Sequence, residues 1–145
     1  MASWSEIEAQ APELAAEAKR YFDKHRHKTL ATLRRDGSPR ISGSEAEFND
    51  GELTFGSMWR GVKALDLRRD PRFALHSGSD EPDAGWTGDA KVAGRAEEVA
   101  TDEGKSHTFR ADISELVVVR LGEPADHIVI ESWHEGRGVK QLRRD

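Results

Sequence analysis

The sequence predicts a mainly β protein in which one antiparallel barrel or sandwich carries only a few short helices. Short segments of alternating side chains recur along the chain, and two of them end at the hairpin signals Asp36-Gly37 and Asn49-Asp50-Gly51. Helical spacing of apolar residues is confined to short stretches. With 145 residues the chain has the size of one domain, so we expect a single unit over residues 1–145.

Two helices are predicted at the start of the chain, over about residues 3–24. Ser3 and Glu6 form an S-x-x-E capping box, which marks a helix start. Pro12 is tolerated in the first turn of a helix but not in its interior, so a short helix should end before it and a longer one should begin there. One apolar stripe follows helical spacing: Ile7, Ala11, Leu14, Ala18 and Phe22.

The next segment predicts a meander of three antiparallel strands. They cover residues 27–37, 39–48 and 52–57, and the turns between them contain the two hairpin signals. A helix should follow over 60–70 and stop at Pro71, because the residue before a proline avoids the helical region.

The second half of the chain predicts further short strands around one loop and one helix. The segment 77–85 is rich in turn-forming residues and should be an exposed loop. We expect a short helix over 101–109, capped by Thr101 or Asp102. The predicted strands are 73–76, 91–100, 113–121, 127–133 and 139–143.

Composition excludes several classes of function. The formal charge of −5, from 22 basic and 27 acidic residues, disfavours general nucleic-acid binding, which needs a basic face. The absence of cysteine excludes disulfides, thiolate metal sites and cysteine nucleophiles. No stretch approaches the roughly 20 apolar residues of a membrane span. We therefore expect a cytoplasmic protein that binds neither nucleic acid nor a membrane.

The usual catalytic motifs are absent, so no catalytic residue is predicted. There is no G-x-S-x-G, H-E-x-x-H, P-loop or G-x-G-x-x-G sequence. His25 and His27 are the only closely spaced histidines, and no third ligand is spaced to complete a metal site around them. We interpret this pair as a basic surface patch and predict no metal.

The segment 39–76 contains the residues that favour anion binding. Arg40 lies on one predicted strand, Ser57 ends the next, and Arg60 and Lys63 stand at the start of the following helix. A hydroxyl, free backbone N–H groups at a helix start and one or two cations are what a phosphate monoester requires. Solvated surface cations are the alternative interpretation.

Three runs of sequence resemble the pyridoxamine 5′-phosphate oxidase-like superfamily of flavin and deazaflavin split-barrel proteins: ATLRRDGSPRIS, DGELTFGS and KALDLRRDPRFAL. The similarity extends over about residues 30–143, and the ending ESWHEGRGVKQLRR is similar to actinobacterial-type members. The resemblance implies a mainly β, antiparallel split β-barrel (FMN-binding split barrel) of six or seven strands with a few short helices. It also implies a homodimer with two sites for FMN or coenzyme F420 at the subunit interface.

The resemblance assigns roles to individual residues. Arg40, Ser57 and Lys63 match positions that face the cofactor phosphate, with Arg60 beside them. Trp133 is expected to approach the ring from the other subunit, with an interface residue as the alternative. Leu30 and Ile41 are expected to contact the cofactor, and the alternative for both is that they are core residues. The residues expected along the ring or ribityl chain are Leu30, Thr32, Ile41 and Ser42.

Two departures from the family pattern affect the expected activity. Glu45 stands near the position where pyridoxamine phosphate oxidases carry a lysine for the substrate phosphate, and their Arg-Leu-His-type C-terminal motif is absent. We therefore expect an oxidoreductase that transfers a hydride between FMN or F420 and another small organic substrate. A non-catalytic cofactor-binding or carrier protein and a haem-binding split-barrel protein are the alternatives.

Overall fold

Nine antiparallel strands form one sheet, and three α-helices pack against it in a computed structural model that describes all 145 residues. The mainly β split-barrel prediction is confirmed. The helices are α1 Trp4–Gln10, α2 Pro12–Lys24 and α3 Val62–Arg69. The strands are β1 Lys28–Leu33, β2 Pro39–Ser44, β3 Ala46–Asn49, β4 Glu52–Met58, β5 Arg72–His76, β6 Gly88–Asp102, β7 Ser106–Leu121, β8 Ile128–His134 and β9 Gly138–Arg144.

The N-terminal helices follow the predicted pattern. The Ser3 hydroxyl accepts from the Glu6 N–H at 3.2 Å, and Pro12 is the first residue of α2. The apolar stripe is buried from Ile7 to Phe22 and packs on the sheet. No helix has both the length and the apolar character needed to cross a membrane.

The strand order β2-β1-β5-β6-β7-β4-β3 brings the two ends of the sheet together through Glu45, which alone separates β2 from β3. The prediction of one strand over 39–48 is therefore wrong, because the segment is divided into β2 and β3. The two predicted hairpins are present: Leu33 pairs with Pro39, and Asn49 pairs with Glu52. Ser44 pairs with Lys28 of β1, whereas Ala46 pairs with Phe55 of β4. Because the chain changes partner at Glu45, it bends there and leaves the barrel split.

The long hairpin of β6 and β7 replaces the helix predicted over 101–109. Thr101 pairs with His107 across the hairpin, and Gly104 adopts a positive φ of 82° in the turn between them. Sheet pairing outweighs the local capping signal at Thr101 and Asp102. The two strands shift register at a bulge between Ala93 and Gly94.

Aromatic side chains fill the interior of the barrel. Phe55 lies 5.2 Å from Phe73 and 6.0 Å from Phe109, measured between ring centroids. Trp4 of α1 lies 4.7 Å from Phe48 of β3, which joins the N-terminal helices to the same core. This packing fixes Phe55 of β4 in the core, and the strand ends at a cleft in the surface.

Candidate functional site

A cleft opens at the split in the barrel, between β2, the end of β4 and the start of α3. It has a lobe of 530 Å³ beside β3 and a lobe of 350 Å³ beside α3, a size typical of small-molecule sites. Both lobes are lined by Ser57, Met58 and Lys63. The cleft is therefore one continuous site with two ends.

The first turn of α3 presents unpaired donors at this cleft. Gly61 is the N-cap residue and supplies no side-chain cap. The N–H groups of Val62 and Lys63 donate to no protein acceptor, and the bonds of the turn begin with Ala64 and Leu65 donating to the Gly61 carbonyl. An anion at this point would satisfy these donors and the positive end of the helix dipole.

Lys63 adds a positive charge that no carboxylate neutralises. Its Nζ donates to the Gly43 carbonyl of β2 at 2.9 Å and takes part in no ion pair. Burial lowers the pKa of Lys63, because the charged amine is removed from water without a countercharge. The amine has two further hydrogens to donate to a bound anion.

Ser57 is buried at the junction of the two lobes. Its hydroxyl donates to the Met58 carbonyl at 3.0 Å, which leaves the oxygen free to accept. A Cβ at Gly61 would lie only 2.5 Å from this oxygen. Glycine at position 61 therefore lets the turn before α3 lie directly on the serine.

Arg40 reaches the cleft from β2 but is partly neutralised. Its Nε donates to the buried Asp66 carboxylate at 2.7 Å, and Asp66 also accepts from Thr32 at 2.8 Å and from Arg69 at 3.1 Å. Burial would raise the pKa of Asp66, but the hydrogen bonds from Arg40, Thr32 and Arg69 outweigh it and lower the pKa. The two Nη groups of Arg40 have no protein acceptor.

Five of the nine predicted site residues line this cleft. Ile41 and Ser42 follow Arg40 along β2 and join Ser57 and Lys63 around the smaller lobe. The Ile41 side chain is 74% exposed, so it is not a core residue. An apolar side chain this exposed is available for contact with a ligand or another chain.

The other four predicted residues lie outside the cleft lining. Leu30 is fully buried in the barrel core, and the Thr32 hydroxyl is engaged with Asp66. Trp133 is 1% exposed within its own chain, where its indole N–H donates to Gln10 at 3.0 Å. Because the Trp133 ring is covered by its own chain, the structure gives no support to a contact across a subunit interface. The Arg60 side chain is exposed beside the cleft.

Two carboxylates line the larger lobe. Glu45 and Glu47 stand at the bend between β2 and β3, and Glu45 accepts from Arg26 at 2.9 Å. His27 contributes to the same wall. The larger lobe therefore holds Glu47 and the ion-paired Glu45 at its far wall, whereas Lys63 stands where the two lobes meet and the start of α3 borders the smaller one.

A polar network around the buried His107, behind the cleft, was not predicted from the sequence. It joins His107 of β7, Glu98 of β6 and the partly exposed Arg68 of α3, with Trp59 stacked on the histidine. Arg68 donates from two nitrogens to Glu98 at 2.7 and 3.0 Å, and Arg69 donates to the Leu33 carbonyl and to Asp66.

Comparison with known proteins identifies related families and folds. The family model for pyridoxamine 5′-phosphate oxidase matches residues 14–140. No curated protein matches the sequence.

Solved structures with similar folds include proteins described as binding different cofactors. An FMN-binding protein related to pyridoxamine 5′-phosphate oxidase from Nostoc punctiforme has a TM-score of 0.63 at 13% identity, covering 90% of this chain and 94% of that chain. An FAD-binding protein from Mesorhizobium loti has a TM-score of 0.59 at 22% identity, with 72% and 90% covered. A heme-binding protein from Mycobacterium smegmatis has a TM-score of 0.61 at 16% identity, with 90% and 87% covered. At these identities the likeness is one of fold.

Proposed function

The chain belongs to the pyridoxamine 5′-phosphate oxidase family, and on that premise we propose that it is an oxidoreductase whose cleft binds FMN or coenzyme F420 by the phosphate. The observation that carries this proposal is the combination at the start of α3. Unpaired N–H groups of Val62 and Lys63 and the Lys63 amine without a countercharge surround one cleft. This donor set fits a phosphate monoester or diester.

The roles of the protein residues follow from their positions around the cleft. Lys63, Ser57 and the free Nη groups of Arg40 would hold the phosphate, and Ile41 would contact the ring or its side chain. The bound cofactor supplies the hydride chemistry, while the protein orients it and excludes competing reactions. No residue of this chain needs to act as a general acid or base.

A hollow of 550 Å³ beside the smaller lobe favours the deazaflavin over FMN. Its wall carries four arginines, Arg34, Arg35, Arg40 and Arg69, and two carboxylates, Asp36 and Asp66, so cations outnumber anions there. F420 carries carboxylates beyond its phosphate, whereas FMN ends there. Cations beside the phosphate site would stabilise such an anionic extension.

Vitamin B6 phosphates are poor candidates for the substrate. The larger lobe, where a substrate would meet the ring, carries the carboxylates of Glu45 and Glu47. A phosphorylated substrate would place its anion against these carboxylates. We therefore propose a substrate without a phosphate group.

A homodimer is the assembly that best suits the cleft. Ile41 lines both the smaller lobe and an apolar groove of 300 Å³ on the outer face of β1, β5 and β6. Ala31, Ala74 and Ala93 line the same groove, so a second copy could approach the sheet closely. Such an approach would cover Ile41 and enclose the cofactor.

Absorbance titration of the purified protein with FMN, F420 and haem tests the proposal. We expect micromolar or tighter binding of F420 or FMN and reduction or oxidation of the bound cofactor by a substrate panel. Tight binding without turnover would favour a carrier. A Soret band that survives gel filtration would favour haem, which the fold of the Mycobacterium smegmatis protein makes a relevant control.

A further inference from the structure

The turn that precedes α3 is held by one buried side chain. Arg60 has a positive φ of 56°, a conformation that is unfavourable for a residue other than glycine. Its N–H donates to Nε2 of His107 at 3.0 Å. The ring of the preceding Trp59 stacks on the imidazole at a centroid distance of 4.9 Å and an angle of 9°.

The bonding around His107 fixes its tautomer. Because Nε2 accepts from the Arg60 N–H, we place the ring proton on Nδ1, which lies 2.8 Å from Glu98 Oε2 and, at the longer distance of 3.3 Å, from an Arg68 nitrogen. Arg68 and Thr101 hold this carboxylate in place by donating to it. His107 is completely buried, and its strand position is opposite Ser57 of β4.

From these contacts we infer that His107 is a positioning residue for the anion site, acting through the Met58–Gly61 turn. The inference rests on the proposed function of the cleft. The turn connects Ser57 at the end of β4 to the first turn of α3. Its conformation therefore decides whether the Ser57 hydroxyl, the free N–H groups and the Lys63 amine can contact the same anion. His107 supplies the acceptor that keeps Arg60 in its strained conformation, and Glu98 with Arg68 keeps the imidazole aimed at it.

Removal of the acceptor should loosen this turn without unfolding the barrel. His107→Phe keeps a flat ring for Trp59 but leaves the Arg60 N–H without its partner. His107→Gln carries an amide oxygen near the position of Nε2 and should restore the bond in part. His127→Phe is a matched control, because His127 is a mostly buried histidine in the loop between β7 and β8, outside the cleft.

Three measurements on the full chain test the inference. In the wild type, ¹⁵N shifts of His107 should show a protonated Nδ1 and an unprotonated Nε2. In His107→Phe, amide exchange should accelerate at Arg60 and its turn neighbours, while the central amides of β7 keep their protection. The Kd for FMN or F420, whichever the wild type binds more tightly, is measured by isothermal titration and should rise about 10-fold, as expected for the loss of one hydrogen bond. His107→Gln should recover part of both effects, and His127→Phe should show neither.

The possible failures are distinct. If Arg60 exchange is unchanged in His107→Phe, the histidine does not hold the turn and the inference is wrong. If exchange accelerates but the Kd for the bound cofactor, FMN or F420, stays the same, the turn does not position the site and the inference is again wrong. A wild type that binds neither FMN nor F420 instead refutes the proposed function, and the positioning role with it.

Discussion

Lys63 is a half-buried cation whose charge the protein leaves uncompensated. Its one hydrogen bond is to the neutral Gly43 carbonyl, and burial lowers its pKa. A lysine in such a place contributes little to folding but would interact strongly with a bound anion, because the site is partly removed from water. The position of this one side chain therefore links the cleft to a charged ligand.

Substitution of Lys63 by methionine should separate binding from folding. Lys63→Met keeps the apolar stem but removes a charge-assisted bond worth roughly 1.5–3 kcal/mol, so the Kd for FMN should rise by about 10- to 100-fold. The matched control is Lys140→Met, on the exposed face of β9. Isothermal titration of both variants checks this, and an unchanged Kd in Lys63→Met would move the phosphate away from α3.

Ser57 and Gly61 should be energetically coupled. An added Cβ at position 61 would lie 2.5 Å from the Ser57 oxygen, so Gly61→Ala must displace either the serine or the turn. In a Ser57→Ala background the contact with the serine oxygen disappears, and only a tight approach of 3.1 Å to the Met58 carbonyl oxygen remains. We expect a coupling of about 0.5–3 kcal/mol in a double-mutant cycle of unfolding free energies, measured by urea denaturation. Additive effects within error would show that the turn adapts without strain.

The sequence could predict the cleft residues only where they lie close together along the chain. Arg40, Ile41 and Ser42 are consecutive on β2, and Ser57 and Lys63 flank one turn, so local pattern and resemblance place them in one segment, and they line one cleft. His107 and Glu98 come from the far hairpin, and only strand pairing brings them behind the turn. Trp133 was misassigned because an indole that suits an interface also suits a core.

At the scale of elements, the pairing of β6 with β7 determines the secondary structure of residues 101–109, which the local sequence predicts wrongly. Thr101 and Asp102 resemble a helix cap, yet β7 pairs with β6 on one side and with β4 on the other, which leaves 106–109 no freedom to form a helix. The break at Glu45 was also unpredictable locally, since each half of 39–48 reads as a strand. The segment 39–48 is divided because its first half pairs with β1 and its second half with β4, on the two sides of the split barrel.

The bulge in this hairpin should make Gly94 irreplaceable. A Cβ there would lie 2.0 Å from the Asp112 carbonyl oxygen, so an alanine must push β6 away from β7. We expect Gly94→Ala to lower the free energy of unfolding by about 3 kcal/mol, within the range for severe backbone conflicts. Gly43→Ala, also in a strand but facing open space, should change it far less. Equal effects in urea denaturation would contradict the strain assigned to the bulge.

The ion pair between α3 and β6 should make stability depend on pH. The hydrogen bonds from Arg68 lower the pKa of Glu98 to about 2, against burial, which would raise it. The ionised carboxylate therefore stabilises the fold above its ordinary pKa of 4.5, and this contribution is lost as the pH falls toward 2. The stability deficit of Glu98→Gln should be largest above pH 4.5 and shrink below it. Urea denaturation across this window checks the trend, with the exposed Glu8→Gln as control.

At the scale of the whole molecule, apolar side chains remain exposed around the cleft. Ile41 is 74% exposed, Met58 81% and Val62 53%, and all three line the smaller lobe. Clustered exposure of this kind is typical of a binding surface, whereas single exposed apolar residues are ordinary. A cofactor in the cleft would cover part of this surface, and the groove beside Ile41 extends it onto the sheet.

We therefore expect the protein to sediment as a homodimer at micromolar concentration, with Ile41 in the interface. Ile41→Glu places a charge where a second copy would bury an apolar side chain, so it should shift the population toward monomer. Val99→Glu changes another exposed apolar residue of the sheet, outside the cleft and the groove, and should remain dimeric. Analytical ultracentrifugation of the three proteins, with and without FMN, measures the equilibrium. A wild type that is monomeric with the cofactor bound would contradict this prediction, because one chain would then enclose the cofactor alone. The exposed apolar residues around the smaller lobe would then need another partner.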